Sequence, residues 1–180
     1  MTTLNIAVVT AGAARHSASA LLAEKLQQSV KDALPAGTSI KYSTHHLGQY
    51  THDIADYLEG DAPGTLVALF EQLRAADAII TVTPIFKASY SGLFKLFWDL
   101  VEPDDIKGKP LLMAATGGSH RHMLALDYAL RPLFSYLGAD TCATGVYTTP
   151  GTLDEARTLD RIRRAAGELA QKSARARPHP

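Results

Sequence analysis

One stretch limits the possible folds more than any other. The apolar run Ala78-Ile79-Ile80 leads through Thr81-Val82-Thr83-Pro84 to Leu93-Phe94-Lys95-Leu96-Phe97-Trp98-Asp99-Leu100. The run is partly β-branched and reads as a buried strand. Pro84 is expected to end it, because proline has no N–H to give to a ladder. The second segment has its apolar residues at helical spacing, with Ser89 or Ser91 placed to cap it. A buried strand, a short loop and a helix form the repeating unit of an open α/β sheet, in which ligands sit at the carboxyl ends of strands. The loop, residues 81–92, carries an aromatic ring, a lysine and hydroxyls, which suits a flat anionic ligand better than a metal.

The unit recurs along the chain. Residues 4–10 read as a first strand, apolar on both faces. A loop of small residues follows, with Gly12, Arg15, Ser17 and Ser19, and then Leu21, Leu22, Leu26 and Val30 mark a helix to about Ala33. Small residues let the backbone approach a phosphate, and a helix N-terminus offers free N–H groups. Ser17 reads either as a phosphate ligand or as a plain helix cap. The loop has neither Gly-x-Gly-x-x-Gly nor a Walker ending. Residues 38–43 alternate as a second strand nearer an edge. The connection over residues 44–64 is long for a compact domain, so it is expected to be functional or locally structured. Its histidines and carboxylates match no common zinc spacing, and no metal site is expected. Residues 65–73 form a second helix, with Thr65 placed to cap it.

Residues 110–116 read as the fourth strand, followed by the loop Gly117-Gly118-Ser119-His120-Arg121-His122. Its two glycines allow backbone donors to reach a ligand edge without a Cβ clash. Residues 123–137 have helical spacing, but Pro132 removes a hydrogen bond and disturbs the turn that holds Tyr128. Residues 141–147 give a fifth strand, and 153–174 a last helix with a solvated charged face. Five strands alternating with five helices imply a doubly wound three-layer α/β domain over residues 1–174, with a frayed tail at 175–180.

Lys plus Arg and Asp plus Glu are both 18, so no net positive field attracts nucleic acid or an anionic membrane. Cys142 is the single cysteine, so no internal disulfide can form, and it reads as a small buried hydrophobe rather than a reactive thiol. No window approaches the roughly 20 apolar residues of a membrane span, and the N-terminus has no secretory pattern. A cytoplasmic location is expected.

Three segments in order, residues 81–92, Ala115-Thr116-Gly117-Gly118-Ser119 and Leu126-Asp127-Tyr128-Ala129-Leu130-Arg131-Pro132, resemble the NADPH-dependent FMN reductases. More narrowly they resemble the reductase components of two-component flavin monooxygenases such as the alkanesulfonate system. With the first loop, the resemblance covers about residues 4–147. It implies a flavodoxin-like five-stranded parallel sheet of order 2-1-3-4-5, with FMN and NADPH or NADH as cofactors. It also implies hydride transfer from nicotinamide to FMN, reduced flavin supplied to a partner flavin-dependent monooxygenase, and a homo-oligomer, tetramer or dimer.

By the same resemblance, Gly12, Arg15, Ser17 and Ser19 hold the FMN phosphate. Thr83, Pro84, Ile85, Phe86 and Lys87, with Thr116, Gly117, Gly118 and Ser119, border the isoalloxazine. Phe86 stands where the family usually has tyrosine, and the first loop lacks the Gly-Ser-x-Arg form of many relatives. Lys87 either balances charge at flavin or NADPH or is a solvated surface lysine. No catalytic side chain is implied, because hydride transfer is cofactor chemistry. The resemblance further implies a π-bulge and an oligomer contact at Tyr128. The alternative there is an ordinary buried tyrosine in a proline-kinked helix. A flavodoxin-like electron carrier or flavin-binding module is a second reading, although such carriers are usually acidic. A quinone or azo reductase of the same fold is a third.

Overall fold

The computed structural model describes residues 3–12, 14 and 17–176. In chain order these form β1 (Thr3–Thr10), α1 (Ala18–Ala33), β2 (Ser39–His46), α2 (Thr51–Leu58), α3 (Gly64–Ala75), β3 (Ala78–Phe86) and β4 (Ser89–Tyr90). Next come α4 (Gly92–Asp99), α5 (Pro103–Ile106), β5 (Pro110–Thr116), α6 (Arg131–Tyr136), β6 (Asp140–Thr141), β7 (Val146–Thr148) and α7 (Ala156–Ala176).

The central strands are apolar on both faces, and this dictates the layering. Ile6 and Val8 of β1, Ile80 and Val82 of β3, and Leu112 and Ala114 of β5 face one side. Ala7 and Val9, Ile79 and Ile85, and Leu111 and Met113 face the other. A strand of this kind is stable only when both faces are covered. α1 and α7 cover the first face with Leu22, Leu26, Ile162 and Leu169. α3, α4 and α6 cover the second with Leu69, Phe94, Trp98 and Phe134. Trp98 packs edge-on against Phe134, with ring centroids 4.9 Å apart at 87°. Each large apolar side chain buried in this way contributes about 1.5–3 kcal/mol.

The strand order is β2-β1-β3-β5, with β6 and β7 sharing the last position beside β5, all parallel. This is the flavodoxin-like 2-1-3-4-5 order, with seven strands instead of five. One of the extra strands is β4, which pairs antiparallel with the end of β3. The other arises because the expected strand over 141–147 is split. At the split, the amide of Thr144 donates to the Glu168 carboxylate at 2.8 Å and so leaves the sheet ladder.

Pro84 does not end its strand, since β3 continues to Phe86. The carbonyl of Val82 faces β1 and accepts from Ala11 N at 2.9 Å. Pro84, two residues on, faces the same way, but the β1 pairing stops at Thr10. Its missing N–H therefore costs no ladder bond.

Other boundaries also move. Residues 44–64 hold the end of β2, a 3₁₀ turn Leu47–Tyr50 and α2, anchored by buried Leu47 and Ile54. Thr65 does not cap α3; its hydroxyl donates to Asp53. Ser91, rather than Ser89, caps α4, its Oγ accepting from Phe94 N at 3.2 Å. Leu21 lies on the exposed side of α1. The helix expected over 123–137 is a π-helix, Leu126–Leu130, running into α6. α7 starts later than expected and continues through Ala176, past the expected start of the tail. Cys142 is fully buried, and burial pushes its thiol up to about 12, so it stays protonated.

Glu168 is an acid built into the fold, bound by the amide and hydroxyl of Thr144. Burial opposes its ionisation, yet the hydroxyl and amide of Thr144, with the amide of Ala143, hold its pKa below the usual carboxylate value. An unfolded glutamate titrates near about 4.3. The stabilisation from this contact is therefore complete above that value and is lost as pH falls through the lower folded value. Calorimetric Tm should accordingly drop more steeply from about pH 5 to about pH 3 in the wild type than in Glu168→Gln. Parallel Tm curves for the two proteins would contradict this role.

Candidate functional site

Three loops leave the sheet together at the carboxyl ends of β1, β3 and β5. On the first, Ser17 caps α1, its Oγ accepting from Ala20 N at 3.2 Å. Gly12 is tightly constrained: a Cβ there would lie 2.0 Å from the Ser17 hydroxyl. Ser19 is buried and its hydroxyl meets that of Thr116 at 3.0 Å, which ties the first loop to the end of β5. Arg15 lies outside the described residues. Thr10 Oγ1 and His46 Nδ1, 2.7 Å apart, join the ends of β1 and β2 beside this loop.

The second loop is a β-hairpin. The Thr83 hydroxyl donates to Pro84 O at 3.0 Å and accepts from Ser91 N at 3.2 Å, which closes its base. Phe86 pairs with Ser89 across the two-residue tip Lys87-Ala88. Both tip residues have positive φ, +50° and +68°. That is the type I′ geometry which matches strand twist but favours glycine or asparagine. Each non-glycine residue held there costs about 1–2 kcal/mol. Such strain tends to persist at ligand clamps. Ile85 is buried, whereas Phe86 is 59% exposed and offers an uncovered aromatic face at the rim.

The third loop is held from behind by β7. Gly117 N donates to Thr148 O at 3.0 Å, and the Tyr147 hydroxyl donates to Ser119 O at 2.7 Å. Burial pushes the Tyr147 phenol above its usual range, which keeps the donated proton in place. A Cβ on Gly117 would meet that hydroxyl at 2.2 Å, so any larger residue there must displace Tyr147. A Cβ on Gly118 would meet nothing within 4 Å. The backbone thus presents one closed face to the protein and one open face outward. His120, Arg121 and His122 follow as a 3₁₀ turn. Among the described residues, no three His, Cys, Asp or Glu side chains cluster as metal ligands would.

Tyr128 lies in the π-helix and is 80% exposed, which overturns the reading of an ordinary buried tyrosine. The amide of Arg131 reaches back five residues to Leu126 O, and Pro132 follows with no N–H. The Arg131 guanidinium fixes this turn. It donates to Asp127 at 3.0 Å, Thr141 at 3.2 Å, and the carbonyls of Cys142 and Ala143 at 3.0 Å each.

Among the described residues, the arrangement has no activated side-chain nucleophile at its centre. It offers a capped helix start, an outward aromatic ring, a lysine and an open glycine backbone. A flat ligand with a phosphate at one end fits that set. Comparison with known proteins gives the same answer: residues 4–154 match the NADPH-dependent FMN reductase family. The chain belongs to that family.

An FMN reductase (NADPH) of Pseudomonas aeruginosa is 31% identical over 169 residues, covering 94% of this chain and 89% of that one. The NADH-dependent FMN reductase SfnE of Pseudomonas putida is 32% identical over 174 residues, covering 96% and 91%. The crystal structure of an oxidoreductase from Corynebacterium diphtheriae superposes with a TM-score of 0.92 at 37% identity, covering 97% and 99%.

The candidate site of this FMN reductase family member includes residues the sequence reading passed over. Tyr147, Thr148 and His46 stand behind the loops rather than in them. The signal for His46 was its register, since it pairs with Thr10 once β2 is extended to its full length. Tyr147 and Thr148 had a similar signal, lying at the carboxyl end of the strand beside β5. Gly117→Ala should weaken FMN binding by at least tenfold, read by flavin fluorescence quenching. Tyr147→Phe in the same chain removes the clashing hydroxyl and should recover part of that loss. A Gly117→Ala protein that binds FMN normally would contradict the tight-loop role.

Proposed function

We propose that this chain is an NAD(P)H:FMN oxidoreductase whose reduced flavin serves a partner flavin-dependent monooxygenase. The observation that carries this reading is that the loops after β1, β3 and β5 leave the sheet at one level, the first tied to the end of β5 by the Ser19–Thr116 hydroxyl pair, with the open backbone of Gly118 on the third. When bound, FMN supplies the hydride-accepting chemistry, as flavins do. The protein's part is placement. The first turn of α1, capped by Ser17, presents amides to the phosphate, and Gly12 allows the close approach. Phe86 lays a ring against the flat ring system, and Lys87 balances its charge. The backbone of Gly117–Ser119, braced by Tyr147, directs donors at the polar edge, where negative charge grows on reduction. The inward hydroxyls of Ser19 and Thr83 are held by protein partners, so their contribution is to loop shape.

The chain is read as one domain that runs through the end of α7 at Ala176, active in the cytoplasm. Among the described residues, no helix is long and apolar enough to cross a membrane. Leu124 in the turn before the π-helix, Tyr128 in it and Tyr136 at the end of α6 are 60%, 80% and 84% exposed. An apolar face of this kind fits the homo-oligomer contact, dimer or tetramer. Deleting Tyr128 should return the π-turn to α-helical register and change the oligomeric state or the rate of flavin exchange. Light scattering and flavin affinity both unchanged would overturn that role.

The direct test is oxidation of NADPH and of NADH by the purified chain, with and without free FMN. Saturable oxidation that depends on added FMN is the expected outcome. Bound flavin without nicotinamide oxidation would point to a carrier instead, and oxidation only with an added quinone would point to a quinone reductase.

A further inference from the structure

A side-chain pair at the ends of β1 and β2 bears on the first loop. Thr10 is the last residue of β1, and the loop to α1 begins immediately after it. Its side chain is fully buried. Ile6 and Val8 of β1 face the α1 side, and strand alternation turns Thr10 to that side as well. His46 ends β2 in register with Thr10, and its Nδ1 lies 2.7 Å from the Thr10 hydroxyl. We infer that His46 is a positioning residue for the phosphate end of FMN. Acting through Thr10, it holds the exit of β1 and so sets how strongly the site selects FMN over riboflavin, the same ring system without a phosphate. The inference rests on the reductase reading and names a residue that governs flavin choice within it.

The first loop and its two ends are tied to three other strands. Ala11 N donates to Val82 O of β3 at 2.9 Å, and the Ser19 hydroxyl meets that of Thr116 of β5 at 3.0 Å. Thr10 and His46 make the third tie, to β2. The Ala11 bond is backbone to backbone and survives any side-chain change short of proline. The His46 tie is made by side chains and depends on them. Two residues beyond Thr10, Gly12 packs so closely on Ser17 that a Cβ there would lie 2.0 Å from its hydroxyl. That spacing leaves no slack. A shift at Thr10 is passed to the residue that caps α1, and so to the amides offered to the phosphate.

A buried hydroxyl needs a partner, and the imidazole supplies it. Valine would fill the same space at Thr10, so the hydroxyl is accounted for by His46 rather than by packing. The neighbouring His45 faces the opposite layer. Its Nδ1 meets the Tyr50 hydroxyl at 3.0 Å and steadies the turn Leu47–Tyr50. The two histidines thus brace different sides of the sheet, and a change at one can be set against a change at the other.

The test reads dissociation constants for FMN and for riboflavin by fluorescence quenching, in the wild type, His46→Ala, His46→Asn, Thr10→Val and Tyr50→Phe. Nicotinamide oxidation with each flavin is measured alongside. The wild type should bind FMN more tightly than riboflavin. His46→Ala should weaken FMN by about tenfold and riboflavin by less than about threefold. His46→Asn, whose side-chain amide reaches the place of Nδ1, should recover part of the loss. Thr10→Val should show the same selective loss, and adding His46→Ala to it should change little. Tyr50→Phe should leave the ratio of the two constants as in the wild type. Equal binding of the two flavins by the wild type, an equal loss for both in His46→Ala, no loss for FMN, or the same selective loss in Tyr50→Phe would each overturn the inference. FMN-dependent oxidation by the wild type would leave the reductase reading intact in all those cases. A selective FMN loss in a chain that oxidises neither NADPH nor NADH would support the role of His46 and overturn the reductase reading.

Discussion

The parallel register of β1, β3 and β5 is the constraint on which the site depends. Thr10 pairs with Val82, and Pro84 with Thr116, so the three strands run out at nearly the same level of the sheet. Each chain must then leave the sheet at that level, and the three exits form one concave rim. The Ser19–Thr116 hydroxyl pair and the Tyr147–Ser119 bond hold the rim's members in fixed relation. No functional side chain has to reach across the molecule. The sheet delivers the loops, and the loops deliver backbone.

That is also why so much was legible in the sequence. Strands apolar on both faces announce a parallel sheet, and the glycines and small residues just after them announce loops that need close backbone approach. The layers and the position of the candidate loops followed from residues such as Ile79, Ile80, Gly117 and Gly118, and the strand order from the family resemblance. The misreadings were all places where tertiary geometry overrides a local rule. Pro84 is tolerated in mid-strand because its nitrogen faces past the end of β1, which cannot be known until the register is known. The fifth strand is split because Glu168, from a helix 24 residues later, takes the amide of Thr144. Tyr147 looked like one more strand residue, and only its pairing beside β5 places its hydroxyl behind Gly117.

The hairpin holds a local conflict that the proposed function would account for. A two-residue tip with both φ values positive is ordinarily built from Asn-Gly or Gly-Gly. Here it is Lys87-Ala88, which costs stability at an exposed position where glycine would be free of strain. The strained tip holds the backbone rigidly, sets the exposed ring of Phe86 at the rim and adds a charge that glycine lacks. Rigid backbone, an aromatic surface and a positive charge are what a flat anionic cofactor rewards, and they bring the fold little by themselves.

The π-turn carries the same logic to the other side of the site. An extra residue in a helix usually costs a hydrogen bond and leaves carbonyls open. Here Pro132 has no N–H to lose, and Arg131 makes four contacts that lock the turn to the β6–β7 connection. Asp127, Arg131 and Pro132 therefore stabilise a backbone distortion whose visible result is Tyr128 thrust outward. A fold that needed only a helix at this point would have no use for that set. What the turn visibly produces is one aromatic side chain presented on a surface beside the hairpin loop, where Tyr128 and Ser89 line the same groove.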